Sequence, residues 1–170
     1  LTLIQGLSRN DRMDTTLQKA TELGVNCIQP VICKHSRYKL DQARQDRKLA
    51  HWRQVIISAC EQSGRCRLPE LQAPQPLTAV LDNIAGQPTC LVLDPLAQTS
   101  LTEVDAANTT DIKLLIGPES GLDRDEIEIA FAHDFQRVHL GPRILRTETA
   151  GPAAAAVIQA LWGDYRGDTA

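Results

Sequence analysis

The sequence predicts an α/β domain with a mainly parallel sheet, and three observations lead there. Its 170 residues are one domain's worth of chain, enough to bury a core without disulfide or metal staples. Apolar runs of about five residues alternate with helical patterns. Two of those runs, Thr89–Leu93 and Ile112–Ile116, are continuously apolar, as strands covered on both faces are.

Taken in order, Leu1 to Gln5 alternates and reads as a short strand. Residues 13–23 place Met13, Leu17, Ala20 and Leu23 at helical spacing, and Gly24 follows at the usual stop position. Residues 26–33 read as a strand that Pro30 marks as an edge or a bend. Residues 41–63 are the longest helical pattern, with Ala50, Val55, Ile56, Ala59 and Cys60 on the buried side and Gly64 at the end. A weak strand at 68–72 precedes a short helix from Pro76 to Ile84, with Pro in its first turn. Asp123 to Ala132 is a helix opened by an Asp-x-x-Glu capping box, Asp123 with Glu126. Phe135 to Leu140 is a strand and Ala153 to Trp162 a closing helix.

Composition excludes several classes. Apolar residues are 42% and charged residues 23%, ordinary globular values that argue against disorder. No apolar run approaches the roughly 18–20 residues of a membrane span. Leu1 is not an initiator Met and no basic segment leads into an apolar stretch, so no signal peptide is expected. Five cysteines without a C-x-x-C pair, and four histidines without ligand spacing, predict free thiols in a reducing, cytoplasmic compartment and no structural metal. The net charge of −3 conceals an asymmetry: residues 1–70 hold 12 Lys/Arg against 7 Asp/Glu, and residues 71–170 hold 6 against 14. A polyanion would meet the first half and be repelled by much of the second.

Ligands of open α/β sheets sit beyond the carboxyl ends of the strands. Leu114–Leu122 runs from an apolar strand into a glycine-rich turn, where Gly117 and Gly121 permit close backbone approach. This is neither a dinucleotide fingerprint nor a Walker loop. Glu119, Asp123, Asp125 and Glu126 crowd the turn and would repel phosphate. A phosphate-free nucleoside with a cationic centre suits it better, and S-adenosylmethionine is one; a plain, well-capped βα turn is the alternative. Leu140–Thr149 is a second strand ending at glycine. Arg143 and Arg146 stand on its turn, with Ile144 and Leu145 expected to be buried between them. Arg146 either pairs with Glu148 or meets negative charge on a ligand. Glu61, Gln62 and Arg65, at the end of the long helix, form a buried polar network or face substrate.

Four segments then occur in a familiar order: Lys19–Val25 (KATELGV), Ala59–Arg65 (ACEQSGR), Leu115–Glu119 (LIGPE) and Leu140–Ala150 (LGPRILRTETA). Together they resemble the bacterial 16S ribosomal RNA uridine-N3 methyltransferases of the SPOUT, or α/β trefoil-knot, superfamily, over nearly the whole chain. The resemblance implies a SPOUT-type trefoil knot with a mainly parallel sheet flanked by helices. It implies that residues 1–170 are the methyltransferase domain, without the family's N-terminal PUA-like RNA-binding domain, and that the protein is a cytoplasmic, metal-free enzyme with no membrane partner. The implied activity is S-adenosylmethionine-dependent methylation of a uridine N3 in the 16S ribosomal RNA of the small ribosomal subunit. A homodimer through the last helix and the knot is also implied. The cofactor would be held by Leu93, Leu115, Ile116, Gly117, Pro118, Glu119, Gly121, Leu140, Gly141, Arg143, Ile144 and Leu145. Arg146, Glu148 and Glu119 are the catalytic candidates. Arg9, Arg12, Arg37, Glu61, Gln62 and Arg65 are the candidates for RNA contact, with Lys34, Lys39 and Arg67 as further cations. Two departures stand out. Ser120 replaces the family's usual Gly, which puts the turn's dihedrals in question. Gly151-Pro152 interrupts an Ala- or Leu-rich stretch, with Pro152 expected in the last helix's first turn. The competing readings are a non-catalytic RNA-binding or assembly factor on this fold, and a methyltransferase acting on transfer RNA.

Overall fold

A computed structural model describes residues 1–36, 41–106, 109 and 111–167, so Arg37 and Lys39 lie outside the described residues. Seven parallel strands, β1 Thr2–Gly6, β2 Cys27–Ile32, β3 Glu70–Leu71, β4 Gln75–Pro76, β5 Thr89–Leu93, β6 Ile112–Ile116 and β7 Gln136–Val138, form one sheet. Their order is β3-β2-β1-β6-β5-β7, with β4 also on β2. The helices are α1 Asn10–Glu22, α2 Gln42–Ser63, α3 Leu77–Asp82, α4 Arg124–Ala132 and α5 Thr147–Trp162. None of the described helices is long and apolar enough to cross a membrane.

The period-two geometry of the strands divides the core. Leu3, Ile28, Leu91 and Leu114 point to the face covered by α1, α2 and α5, among Met13, Leu17, Trp52 and Ile158. Ile4, Val31, Val92 and Leu115 point to the opposite face, against Leu77 and Leu81 of α3 and Ala130 and Phe135 at α4. This double coverage explains the unbroken apolar runs of β5 and β6.

Several expectations are corrected. β2 is neither an edge nor bent, since it pairs along its length with β1. Ile28 accepts from Gln72 N–H on one side and Val31 from Leu7 N–H on the other. Pro30 therefore turns its missing N–H toward the gap between β3 and β4, where no ladder bond is lost. On α2, Ala50 is exposed, and Trp52, with 1% of its surface exposed, holds the buried stripe instead. The 135–140 strand shortens to Gln136–Val138. The last helix starts at Thr147, so Pro152 lies in its second turn rather than its first. Ile144 is 83% exposed, not buried. The sequence reading also missed a 3-10 turn at Leu101–Glu103, whose signal was the capping box Ser100-x-x-Glu103.

The path of the chain after β7 places the site. β7 lies at the sheet edge, yet α5 packs on α1, and its Gly151 sits over Leu3 and Gln5 of central β1. To reach that position residues 139–147 pass between two other connections. On one side Leu101 N–H donates to His139 O (3.0 Å) and His139 N–H donates to Thr99 O (3.0 Å). On the other side the Thr147 hydroxyl donates to Gly117 O (2.7 Å). This threading is the trefoil-knot arrangement of the SPOUT class.

His133 ties α4 to α3. Its Nδ1 lies 2.9 Å from Ile129 O and its Nε2 3.0 Å from Asp82 Oδ1, so both nitrogens face acceptors. Only the imidazolium donates twice, and the Ile129 carbonyl, then Asp82, raise the His133 pKa above 6.5. A raised pKa stabilises the fold fully below the unfolded value, and that contribution is lost as pH rises through the folded value. Thermal melts of His133→Gln should therefore fall short of wild type at about pH 5.5 and converge with it at about pH 8.5; a pH-independent gap would contradict this role.

Candidate functional site

The carboxyl ends of β5 and β6, the 117–122 turn and the threaded 139–147 segment enclose a cavity of about 390 Å³. The turn is shaped by close backbone contacts. A Cβ on Gly6 would stand 2.5 Å from Pro118 N, so β1 can approach the turn only with glycine there, and one on Gly117 would stand 2.8 Å from Leu122 N, so the turn can close on itself only with glycine at 117. Gly121 takes φ +76 and its N–H donates to Pro118 O (2.9 Å). Ser120 is not among the left-handed residues, so its side chain is accommodated without strain, which answers the question raised by the missing Gly.

Beneath the cavity, fully buried Gln5 donates through Nε2 to Thr147 Oγ1 (2.9 Å) and to Gly6 O (3.1 Å). Thr147 passes its own proton to Gly117 O. At the rim, Asp94 is 4% exposed and accepts from Leu96 N–H (2.9 Å) and Arg137 Nε (2.8 Å), which pins the exit of β5 to β7.

All twelve predicted cofactor residues except Leu115 line this cavity. Leu115 is fully buried on the α3 and α4 side of the sheet, because strand alternation points it away. The exposure of Ile144 belongs here, since its side chain forms part of the apolar wall. Asp94 and Pro95, at another strand end where a ligand was expected, also line it, and Leu122, His139 and Thr147 are lining residues absent from the sequence candidates. They sit at strand ends or inside the threaded segment, which only the topology brings together. The lining is chiefly apolar side chains and main chain, with Arg143 and Arg146 at the mouth.

The catalytic candidates separate. Arg146 lines the cavity, is exposed, and shows no ion pair among the described residues; the expected Arg146–Glu148 pair is not formed. Glu119 lines the cavity, accepts from Arg9 N–H (2.8 Å), and lies 3.6 Å from Arg12 Nη1. It thereby caps α1, which has no side-chain cap of its own. Glu148 is not part of the cavity wall. Its Oε1 lies 3.9 Å from Arg12 Nε, and its buried Oε2 has no partner among the described residues.

The candidates for RNA contact also separate. Arg9 and Arg12 stand beside the cavity, at the start of α1. Glu61, Gln62 and Arg65 lie at the opposite, amino end of the sheet. Arg65 there donates from Nη1 to Thr21 O (2.7 Å) and Val25 O (2.8 Å), a structural cap on the turn after α1. Lys34 bonds Asp125 Oδ2 (2.6 Å) and Asp123 Oδ1 (3.3 Å). His35 Nε2 lies 2.8 Å from Asp123 Oδ2, and this contact, first among several, holds the Asp123 carboxyl down to about 2. The 123–126 carboxylates thus face the 33–35 turn instead of the cavity. Burial pushes the Cys33 thiol in that turn up to about 12, with Glu126 adding to the effect.

A largely apolar cavity at the carboxyl ends of a parallel sheet, closed by the 139–147 segment, is the arrangement that the resemblance to trefoil-knot methyltransferases implies. The chain belongs to the RNA methyltransferase domain family, whose model matches residues 1–159. It is 35% identical over 94% of its length to the ribosomal RNA small subunit methyltransferase E of Buchnera aphidicola (strain Sg), and covers 65% of that protein. The crystal structure of a ribosomal RNA small subunit methyltransferase E from Neisseria gonorrhoeae, bound to S-adenosyl methionine, superposes with a TM-score of 0.88. That comparison has 42% identity and covers 95% of this chain and 65% of that one. The SpoU methyltransferase AviRb from Streptomyces viridochromogenes, 20% identical with a TM-score of 0.55 over 93% of this chain and 58% of that one, shares the fold. The chain spans a little under two thirds of the length of these relatives.

Removing the Thr147 hydroxyl should loosen the node. Thr147→Val removes the shorter of the two hydrogen bonds to Gly117 O and the acceptor of buried Gln5 Nε2, and should lower stability by about 1–3 kcal/mol. Urea unfolding reads this directly, and an unchanged midpoint would show that the node is not structural.

Proposed function

We propose that residues 1–170 act as a methyltransferase domain that binds S-adenosylmethionine in the 117–122/139–147 cavity and methylates N3 of a uridine in small-subunit ribosomal RNA. The cavity itself carries this reading. It has adenosine-sized volume, apolar walls from Leu93, Leu140, Ile144 and Leu145, and backbone polar groups in place of a phosphate cradle. The S-adenosyl methionine bound to the Neisseria relative, and the ribosomal RNA small subunit methyltransferases among the relatives, support the ligand and the RNA class.

When bound, the cofactor supplies a methyl group on a cationic sulfur that leaves as a neutral thioether. The chain's own residues must prepare the nucleophile. Uridine N3 carries a proton at neutral pH and is a poor nucleophile until that proton is removed. Glu119, the carboxylate on the cavity wall, is placed to take it. N3 then bonds the methyl carbon as the carbon–sulfur bond breaks. The negative charge that develops on the two carbonyl oxygens needs a donor. Arg146, charged at the mouth and without an ion-pair partner among the described residues, provides one. Glu148 stands behind Arg12 and orients it, and is not the base in this scheme.

Two copies pairing across α5 and the threaded segment, in the cytoplasm, complete the reading. Half-exposed Val157, Leu161 and Trp162 along α5 support the pairing.

Arg146→Ala should lower methyl transfer to unmodified small-subunit RNA by about 10²–10³-fold. Its calorimetric affinity for S-adenosylmethionine should stay within about threefold of wild type. Nucleoside analysis of the wild-type product should find 3-methyluridine. Undiminished turnover in the variant, or a product methylated on another atom, would overturn the assignment.

A further inference from the structure

A second concavity of about 530 Å³ lies against the first. Its lining comes from the end of β1 and the start of α1 (Leu7, Arg9, Arg12), the turn after β2 (His35, Ser36) and the 118–120 turn. It shares Arg12, Pro118 and Glu119 with the cofactor cavity, so those three residues form a common wall.

We propose that this groove holds the acceptor nucleotide of a single-stranded RNA segment, with Arg12 the side chain that touches it at the point of transfer. The inference rests on the methyl-transfer reading and adds to it where the second substrate sits. Group transfer requires both reactants within near-contact distance and in line, and a base seated in the groove can meet the cofactor only over the shared edge at Arg12, Pro118 and Glu119, where the two concavities join. The groove's chemistry matches one nucleotide. Arg9 and Arg12 present guanidinium groups and His35 an imidazole edge, which suit a phosphate or a base carbonyl. Leu7 and Pro118 form the buried apolar floor of the groove. The Ser120 hydroxyl adds an adaptable donor and acceptor.

The carboxylate in this groove does not cancel its attraction for an anion. Glu119 Oε1 accepts the Arg9 amide and faces Arg12, so part of its charge is already answered by the wall. Arg12 is fixed from two sides, with Glu119 Oε1 3.6 Å from Nη1 and Glu148 Oε1 3.9 Å from Nε. That double hold keeps one guanidinium at the boundary of both cavities and makes Glu148 a positioning residue that acts through Arg12. Arg9 is exposed and forms no ion pair among the described residues, which leaves its guanidinium available to a phosphate.

The test uses the chain loaded with S-adenosylhomocysteine and a short uridine-rich RNA oligonucleotide carrying one 4-thiouridine. Irradiation should crosslink residues 7–12 and 118–122. Ser120→Trp, which fills the groove from a position that does not line the cofactor cavity, should weaken RNA binding by about tenfold. Arg9→Ala tests the same surface with little risk to folding and should lower the slope of log affinity against log salt by about 0.7. Both variants should keep wild-type affinity for S-adenosylmethionine. Crosslinks confined to other faces, RNA affinity unchanged in both variants, preference for an acidic peptide over RNA, or no RNA binding by the wild-type chain would each overturn the proposal. Failure of the wild-type chain to bind S-adenosylmethionine would instead strike the underlying methyl-transfer reading.

Discussion

Thr147 stands where three distant parts of the chain meet. Its hydroxyl donates a hydrogen bond to Gly117 O and accepts one from Gln5 Nε2, so the start of α5, the end of β6 and the end of β1 share one hydrogen-bond chain. The segment before Thr147 has just passed between two other connections, and α5 after it packs on α1 and over β1. Without this anchor the threaded segment would have no fixed height above the sheet, and the cavity between it and the 117–122 turn would have no defined floor. Two close backbone approaches serve the same end, Gly6 letting the turn lie on the end of β1 and Gly117 letting the turn close tightly on Leu122. The Gln5 Nε2 and the Thr147 hydroxyl are each satisfied through the other, while Gln5 Oε1 is buried without a partner among the described residues.

The electrostatics follow from the same placement. The acidic stretch 123–126 is turned toward Lys34 and His35, and Glu126 is buried against the Lys34 amide, accepting from it at 2.7 Å. These carboxylates brace the 33–35 turn against α4 and leave the cavity floor free of their charge. The cationic side chains near the cavity, Arg9, Arg12, Arg143 and Arg146, come from the starts of α1 and α5, two helices whose amino ends converge there. The basic first half of the sequence is thus only partly a surface for a polyanion. Arg65, one of its most suggestive cations, is held by two backbone carbonyls at the far end of the sheet.

Much of the architecture was legible in the sequence because its signals are local. The runs Thr89–Leu93 and Ile112–Ile116 match β5 and β6, the Asp123/Glu126 capping box opens α4, and Gly64 closes α2 in the left-handed conformation. The knot was not legible from periodicity, since nothing local records which connection passes between which others; it came only from a resemblance across four segments. The misplaced residues have two causes, one local and one not. Leu115 points away from the cavity because of strand alternation, and Ile144 is exposed because the wall it forms is built by a distant turn. Glu148 meets Arg12 of α1 in place of Arg146 two positions before it. The cap of α1 was invisible for the same reason, because Glu119 supplies it from 110 residues away.

Hydrogen exchange with and without S-adenosylhomocysteine tests most directly the claim that the threaded segment and the glycine turn together make the cofactor site. Amides of 117–122 and 139–146 should slow together on addition of the ligand, with little change at the far end of the sheet around Thr21 and Arg65. Protection confined to some other region, such as 96–99 with 131–137, or none in either segment at saturating ligand, would contradict it.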